Sequence, residues 1–213
     1  MIPRHSLFIS LILFLLIPSA AFTGEQIAGV PDLFESTIET RATHSVSVLV
    51  CPGGDGRSLN QAMLFGGEIM DATIEIHVRD LNGYPIHGFP MEDIWMEMPG
   101  VNFCLGGGRV DFHTDSNGYT EFSLPKAGGG WSEDFDLVGL INDSPFAVQS
   151  TLSSLRMNSP DMNGDGVVNL LDVGLYASVY WEGYSYAADF HWDGLLNLTD
   201  VSILAQHFGH SCH

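Results

Sequence analysis

The residues best placed to do chemistry are two runs of alternating oxygen donors near the C-terminal end of the chain. The run Asp161-Met162-Asn163-Gly164-Asp165-Gly166-Val167-Val168-Asn169-Leu170-Leu171-Asp172 returns at an offset of 28 residues as Asp189-Phe190-His191-Trp192-Asp193-Gly194-Leu195-Leu196-Asn197-Leu198-Thr199-Asp200. A hard cation such as Ca2+ takes about six to eight oxygens, so a tight loop that alternates carboxylates and amides is the pattern expected of a calcium loop. The candidate ligands of the first loop are Asp161, Asn163, Asp165, the backbone carbonyl of Val167, Asn169 and Asp172. Those of the second are Asp189, His191, Asp193, the carbonyl of Leu195, Asn197 and Asp200. Gly166 and Gly194 at position 6 permit the sharp turn. Two Ca2+ sites are therefore predicted. The second is expected to be weaker, because His191 stands where an oxygen belongs and imidazole is a poor calcium ligand.

Charge agrees with this chemistry. Residues 159–213 hold seven acids (Asp161, Asp165, Asp172, Glu182, Asp189, Asp193 and Asp200) and no Lys or Arg. Two calcium ions would offset four of these seven charges, so this segment is expected to fold on calcium binding.

Each loop needs an element to hold it. Val173, Tyr176, Ala177 and Tyr180 follow the first loop at helical spacing, and Val201, Leu204, Ala205 and Phe208 repeat the pattern after the second. Two such helices packed antiparallel would bury both apolar faces. The apolar residues at position 8, Val168 and Leu196, predict a short backbone pairing between the loops. Pro160 blocks a helix entering the first loop, and position 12 is Asp rather than Glu, which separates the pattern from an ordinary EF-hand. A duplicated loop and exit helix with this wording resembles the dockerin family, over residues 159 to about 210. That resemblance implies F-hand calcium loops and docking onto a cohesin-like domain of another protein. In many dockerins the cohesin-reading pair at positions 10 and 11 is Ser-Thr, whereas here the pairs are Leu170-Leu171 and Leu198-Thr199. Calcium binding thus carries over more directly than cohesin docking.

Upstream, residues 42–155 read as short strands between turns. In residues 72–79, Ile74, Ile76 and Val78 alternate with Thr73, Glu75, His77 and Arg79, a period of two that ends at the hairpin signal Asn82-Gly83. A second hairpin is predicted between residues 109–114 and 119–124, across Asp115-Ser116-Asn117-Gly118. Further strands are expected near residues 45–50, 93–98 and 136–141. Such spacing predicts an antiparallel β-sandwich. The turn signatures around Asp80, Gly83 and Pro85, then Thr114, Asp115, Asn117, Gly118 and Thr120, resemble bacterial immunoglobulin-like domains of invasin-type proteins, over roughly residues 44–145. The expected fold is therefore mainly β: an immunoglobulin-like sandwich over residues 22–155, then a small α-helical dockerin-like module over 156–213, with a linker at 156–160.

Arg4 and His5, an apolar run over residues 7–17 and the small residues Ser19, Ala20 and Ala21 predict a signal peptide over residues 1–21. The run is too short to cross a bilayer core, which needs about 20 residues. Cleavage after Ala21 would remove Arg4 and no acid, leaving 6 basic against 26 acidic residues, a net charge of −20. Nucleic acid and anionic membrane surfaces are poor partners on that charge, and a chain with 45% hydrophobic residues has material for a core. The protein is expected to be secreted or at the cell surface. In that oxidising setting a Cys51–Cys104 disulfide is predicted, with Cys212 free, displacing one partner, or linking two chains.

The other constellations carry less. His207, His210, Cys212 and His213 crowd the tail and could hold zinc, though irregular spacing favours a fraying end. The Gly106-Gly107-Gly108 and Gly128-Gly129-Gly130 runs read as turn and loop, since no Lys-Ser/Thr follows either. His77 and His113, with Asp111 and Asp115 nearby, have no nucleophile placed with them, so a hydrolase is the least favoured reading. Trp181, Tyr184, Tyr186, Phe190 and Trp192 read as a small core sooner than a sugar-stacking platform. The expected function is a non-catalytic calcium-binding protein that mediates extracellular attachment or assembly. Its alternatives are a carbohydrate-binding accessory protein of a polysaccharide-degrading system, or a calcium-stabilised structural protein without a cohesin partner.

Overall fold

The computed structural model describes residues 29–133, 137–146 and 155–212, so the expected signal peptide and His213 lie outside the described residues. The chain is mainly β. Its strands are β1 (Thr37–Thr40), β2 (Val46–Leu49), β3 (Ala62–Leu64), β4 (Ile69–Met70), β5 (Ile74–His77), β6 (Ile94–Glu97), β7 (Val101–Phe103), β8 (Tyr119–Phe122), β9 (Gly128–Gly130), β10 (Val138–Ile141), β11 (Ser144–Pro145) and β12 (Leu155–Asn158). Two helices follow, α1 (Leu170–Glu182) and α2 (Leu198–Gln206). Among the described residues the strands form four sheets, ordered β1-β5-β8, β11-β10-β6, β12-β2-β3-β4 and β7-β9.

The alternation read in β5 holds, with Ile74, Ile76 and Val78 fully buried while Glu75 and His77 lie at the rim. Strand β8 lies against β5, with Ile74 opposite Phe122, rather than taking residues 109–114 as a regular hairpin partner. Those residues divide their backbone bonds: Val110 N–H donates to Ile94 O at 3.2 Å and Asp111 N–H to Glu121 O at 2.9 Å. A segment shared between two strands in this way forms no continuous ladder with either.

Three expectations are corrected. Residues 156–160 are not a linker, because β12 pairs with β2, in parallel, and Asn158 and Ser159 are fully buried. Leu155 and Met157 both face the core, a period-two signal too short to stand out. The Gly128-Gly129-Gly130 run is not a loop but strand β9, paired with β7. Finally, the two helices do not bury each other's apolar faces. Tyr176 and Leu204 are buried, whereas Val173, Tyr180, Val201 and Phe208 stay partly exposed.

The burial that the helices lack between themselves is found against the strands. Leu49 and Cys51 pack with Met162, Val168, Tyr176, Phe190 and Leu204 in one cluster, while Tyr186 and Trp192 belong to the main core. The Tyr186 hydroxyl and the Ser47 hydroxyl lie 2.8 Å apart, and Asn158 Nδ2 donates to the carbonyls of Tyr186 (3.1 Å) and Asp189 (2.8 Å). Polar groups buried this deeply need such partners. The segment between the loops is thus tied directly to β2 and β12. No helix among the described residues is long and apolar enough to cross a membrane.

Candidate metal centre

Each loop is built around its first and last carboxylates. In the first, Asp161 Oδ1 accepts Asp165 N–H (3.2 Å) and Oδ2 accepts Gly166 N–H (2.8 Å). In the second, Asp189 accepts Asp193 N–H (3.2 Å) and Gly194 N–H (2.9 Å) in the same way. At the far end, Asp172 accepts Asn163 N–H (3.3 Å) and Asn169 N–H (2.8 Å), and Asp200 accepts His191 N–H (3.0 Å) and Asn197 N–H (3.0 Å). Asp165 and Asp193 each turn back to accept the N–H two residues on, that of Val167 (3.0 Å) and Leu195 (2.9 Å). The backbone follows suit: φ is positive at Gly166 (87°) and Gly194 (83°), and at position 4 it is positive at both Gly164 (68°) and Trp192 (50°).

Positions 9 and 12 have a second role that the loop pattern conceals. Asn169 and Asn197 are the N-caps of α1 and α2, accepting from Leu171 N–H (2.8 Å) and Thr199 N–H (2.7 Å), and Asp172 and Asp200 complete capping boxes. The same residues therefore close the loop and start the helix. An amide oxygen has two lone pairs, so the cap leaves one available to an ion or its water. The carbonyls of Val167 and Leu195 meet the Asn169 and Asn197 amides at 3.1 and 3.4 Å.

Asp161, Asp172, Asp189 and Asp200 are all fully buried, and residues 159–213 supply no Lys or Arg to neutralise them. Burial pushes the Asp161, Asp189 and Asp200 carboxyls above the ordinary carboxylate range, against the pull of the loop N–H donors. Neighbouring carboxylates add to it: Asp172 and Asp165 act on Asp161, and Asp189 and Asp193 on Asp200. Buried charge of one sign requires a counter-charge. A divalent cation held by these oxygens would supply it, so the donor set fits Ca2+.

The two loops are not equivalent. Asn163 in the first presents an oxygen, which accepts Asp165 N–H at 3.0 Å, where the second has His191. The Tyr184 hydroxyl also acts on Asp189, drawing its carboxyl down against the effect of burial. Trp192 is held in its left-handed conformation by burial against Phe65, with ring centroids 5.9 Å apart, and by Gly66 N–H donating to its carbonyl at 3.2 Å.

Loop one is seated on the strands by residues that its own spacing does not announce. Gly130 N–H donates to Asp161 O at 2.6 Å, Asn102 Nδ2 donates to Gly164 O at 2.9 Å, and a side chain on Gly129 would collide with the Asp161 carboxylate. The glycine run was the available signal. Position 8 does not pair the two loops as expected. Instead Val168 N–H donates to His210 O (2.9 Å) and Gly209 N–H to Val168 O (2.8 Å), so the tail takes that edge.

The tail also corrects the cysteine pairing. The disulfide joins Cys104 to Cys212, and Cys51 is a buried free thiol. Cys212 N–H donates to Gly166 O at 2.9 Å, which returns the chain end to β7's flank, where Cys104 lies. Of the outlying histidines, His113 Nδ1 accepts Met91 N–H at 2.9 Å, and the His77 ring packs on Tyr119 at 5.4 Å. Among the aromatics weighed as a sugar platform, Tyr186, Phe190 and Trp192 are core, while Trp181 and Tyr184 are exposed. No protein-family model, curated protein or solved structure matches this chain.

Proposed function

We propose that this is a secreted, non-catalytic protein that binds two calcium ions through duplicated dockerin-type loops, carried beside an immunoglobulin-like sandwich, and that mediates extracellular protein attachment or assembly. The observation that carries the reading is the repetition of one hydrogen-bond scheme around four fully buried carboxylates, with no Lys or Arg in the segment. Calcium in this reading locks the loops and their exit helices. The helices then present Leu170 (75% exposed), Leu198 (79%) and Trp181 (84%) to solvent, apolar surface that a docked partner would cover.

Calorimetric calcium titration of the mature protein tests this, together with Asp165→Ala and Asp193→Ala. Two sites are expected, each lost with its own variant, and absence of binding heat overturns the reading. Calcium-dependent capture of a partner from the native secretome separates attachment from a purely structural use of the ion.

A second reading, carbohydrate binding by the sandwich, is favoured by an open groove lined by Trp95, Phe103, Arg109, Glu92 and Glu97. Aromatic and charged groups together suit sugar faces and hydroxyls. Glycan-array binding that is lost in Trp95→Ala but kept in Asp165→Ala supports it.

A further inference from the structure

A second set of metal-binding groups lies apart from the acidic loops, at the meeting of β2's end and the C-terminal tail. One ligand atom from each of Cys51, Asp55 and His207 lies within 4.8 Å of the other two. His210 Nδ1 is 3.2 Å from Asp55 Oδ2, and His207 Nε2 is 4.0 Å from the same oxygen. Donors on one tetrahedral zinc ion, with bonds of about 2.0–2.3 Å, stand about 3.3–3.8 Å apart. Cys51, Asp55 and His207 must close by up to about 1.5 Å to reach that spacing, and His210 joins them through its contact with Asp55.

The histidine tautomer is already set for ligation. His207 Nδ1 lies 2.8 Å from the carbonyl of Ile203, an acceptor only, so Nδ1 carries the proton and Nε2 keeps its lone pair on the Asp55 side. Metal-binding histidines are commonly oriented this way, by a backbone carbonyl on the far nitrogen. The frame is rigid on both sides. Cys51 is fully buried, accepts Gly128 N–H at 3.1 Å, and starts a turn closed by Gly54 N–H at 2.9 Å. His207 and His210 are fixed by the turn bond between them (3.0 Å), by Val168, and by the neighbouring disulfide at Cys212. Access comes through an open cleft lined by Gly53, Asp55, Gly209, His210 and Ser211. Gly53 keeps it open, since a side chain there would crowd Asp55 and His210.

We propose that Cys51, Asp55, His207 and His210 form a binding site for a borderline-soft divalent ion of the zinc class, which clips the tail to the strand region. A thiolate and two imidazoles select zinc, and its substitute cobalt, over calcium. On binding, the sulfur–metal bond replaces the S–H bond of Cys51 and the proton passes to solvent. Its donors are separate from those of the acidic loops, which hold no cysteine.

The test uses the full disulfide-intact chain saturated with calcium, titrated with Zn2+ against a chromophoric chelator and separately with Co2+. One equivalent should bind, and cobalt should give a near-ultraviolet thiolate charge-transfer band with tetrahedral visible bands. Cys51→Ser should abolish the charge-transfer band. The surface changes Asp55→Asn and His210→Gln should each weaken zinc by about 10- to 100-fold or more. Because Asp55 is half exposed, its variant keeps the site testable should Cys51→Ser fail to fold. Absence of one-equivalent binding in the wild type, or zinc binding unchanged in Asp55→Asn and without a cobalt–thiolate band, overturns the proposal.

Discussion

The carboxylate of Asp161 lies against Gly129 of β9 so closely that no Cβ fits between them, and the next residue, Gly130, donates its N–H to the Asp161 carbonyl at 2.6 Å. Sheet and acidic loop are thus joined directly at this point. Gly129→Ala is expected to displace Asp161, weaken the first calcium site in calorimetry, and destabilise the fold by about 1–3 kcal/mol, the usual cost of overpacking. Gly174→Ala is the contrast. That glycine lies within α1 with open space around it, so the change should stabilise by up to about 1 kcal/mol and leave calcium binding unaltered.

Chelation should lower the melting temperature of the whole chain, not of a detached module. The cluster that holds Tyr176, Phe190 and Leu204 also contains Leu49 of β2, so the loops cannot loosen without exposing part of the strand region. Free calcium at 100 times the dissociation constant is worth about 2.7 kcal/mol per site. A single cooperative transition, shifted upward by calcium and returned by chelator, is the expected calorimetric trace. An identical trace in both conditions would contradict the calcium reading.

The local elements were legible because their signals are local. Ile74, Ile76 and Val78 announce β5 by alternation, and the Asp161 and Asp189 repeats announce two loops with exit helices. What escaped is long-range. Nothing near Cys212 says that it reaches Cys104 rather than leaving Cys51 as the partner, and nothing near Val168 says that the tail, not Leu196, takes its backbone. Strand β12 escaped because four residues with two inward side chains make too short a period to separate from a linker. The run around Gly129 reads as a loop, although Gly129 is there for close contact with Asp161. Cys51, Asp55, His207 and His210 come from two segments far apart in the sequence, and only the fold brings them together.

The Cys104–Cys212 bond closes a loop of 108 residues, so its removal frees a large part of the unfolded chain's motion. Cys212→Ser is expected to cost about 4–5 kcal/mol on the loop-entropy scale. It should also loosen loop one, because Cys212 N–H binds Gly166 O and Ser211 bridges Val167. Denaturant unfolding and calcium calorimetry on the same variant read the two effects separately.

Asp111 and Lys126 form a buried ion pair, the ammonium donating to Asp111 Oδ1 while Oδ2 accepts from Ser123 and Leu124 N–H. Burial alone would raise the Asp111 carboxyl, but the Lys126 charge and these donors hold it below the ordinary range. A carboxyl lowered in the folded state contributes stability that is present above its unfolded value of about 4 and is lost as pH falls through the folded value. Lys126→Met removes the stabilising charge and is expected to cost about 3–5 kcal/mol at neutral pH. With Lys126 gone, burial raises the Asp111 carboxyl, so the cost of the change should shrink as pH falls and the stranded charge is protonated. Adding Asp111→Asn should cost less than the sum of the two single changes, since each alone strands its partner.

His191 occupies the position at which Asn163 offers an oxygen in loop one, and its backbone N–H already reaches Asp200 Oδ1 at 3.0 Å, so the loop is closed around a side chain of the wrong kind. His191→Asp restores an oxygen donor and adds a charge without altering that backbone bond. Calcium affinity rises with the number of charged ligands, so the second site should tighten by roughly tenfold or more while the first stays unchanged. Without calcium the same change adds a carboxylate beside Asp189, Asp193 and Asp200, and should lower the melting temperature. Opposite shifts with and without the ion are expected from one variant. A shift of the same sign in both conditions would mean that His191 acts through packing and not as an occupant of a ligand position.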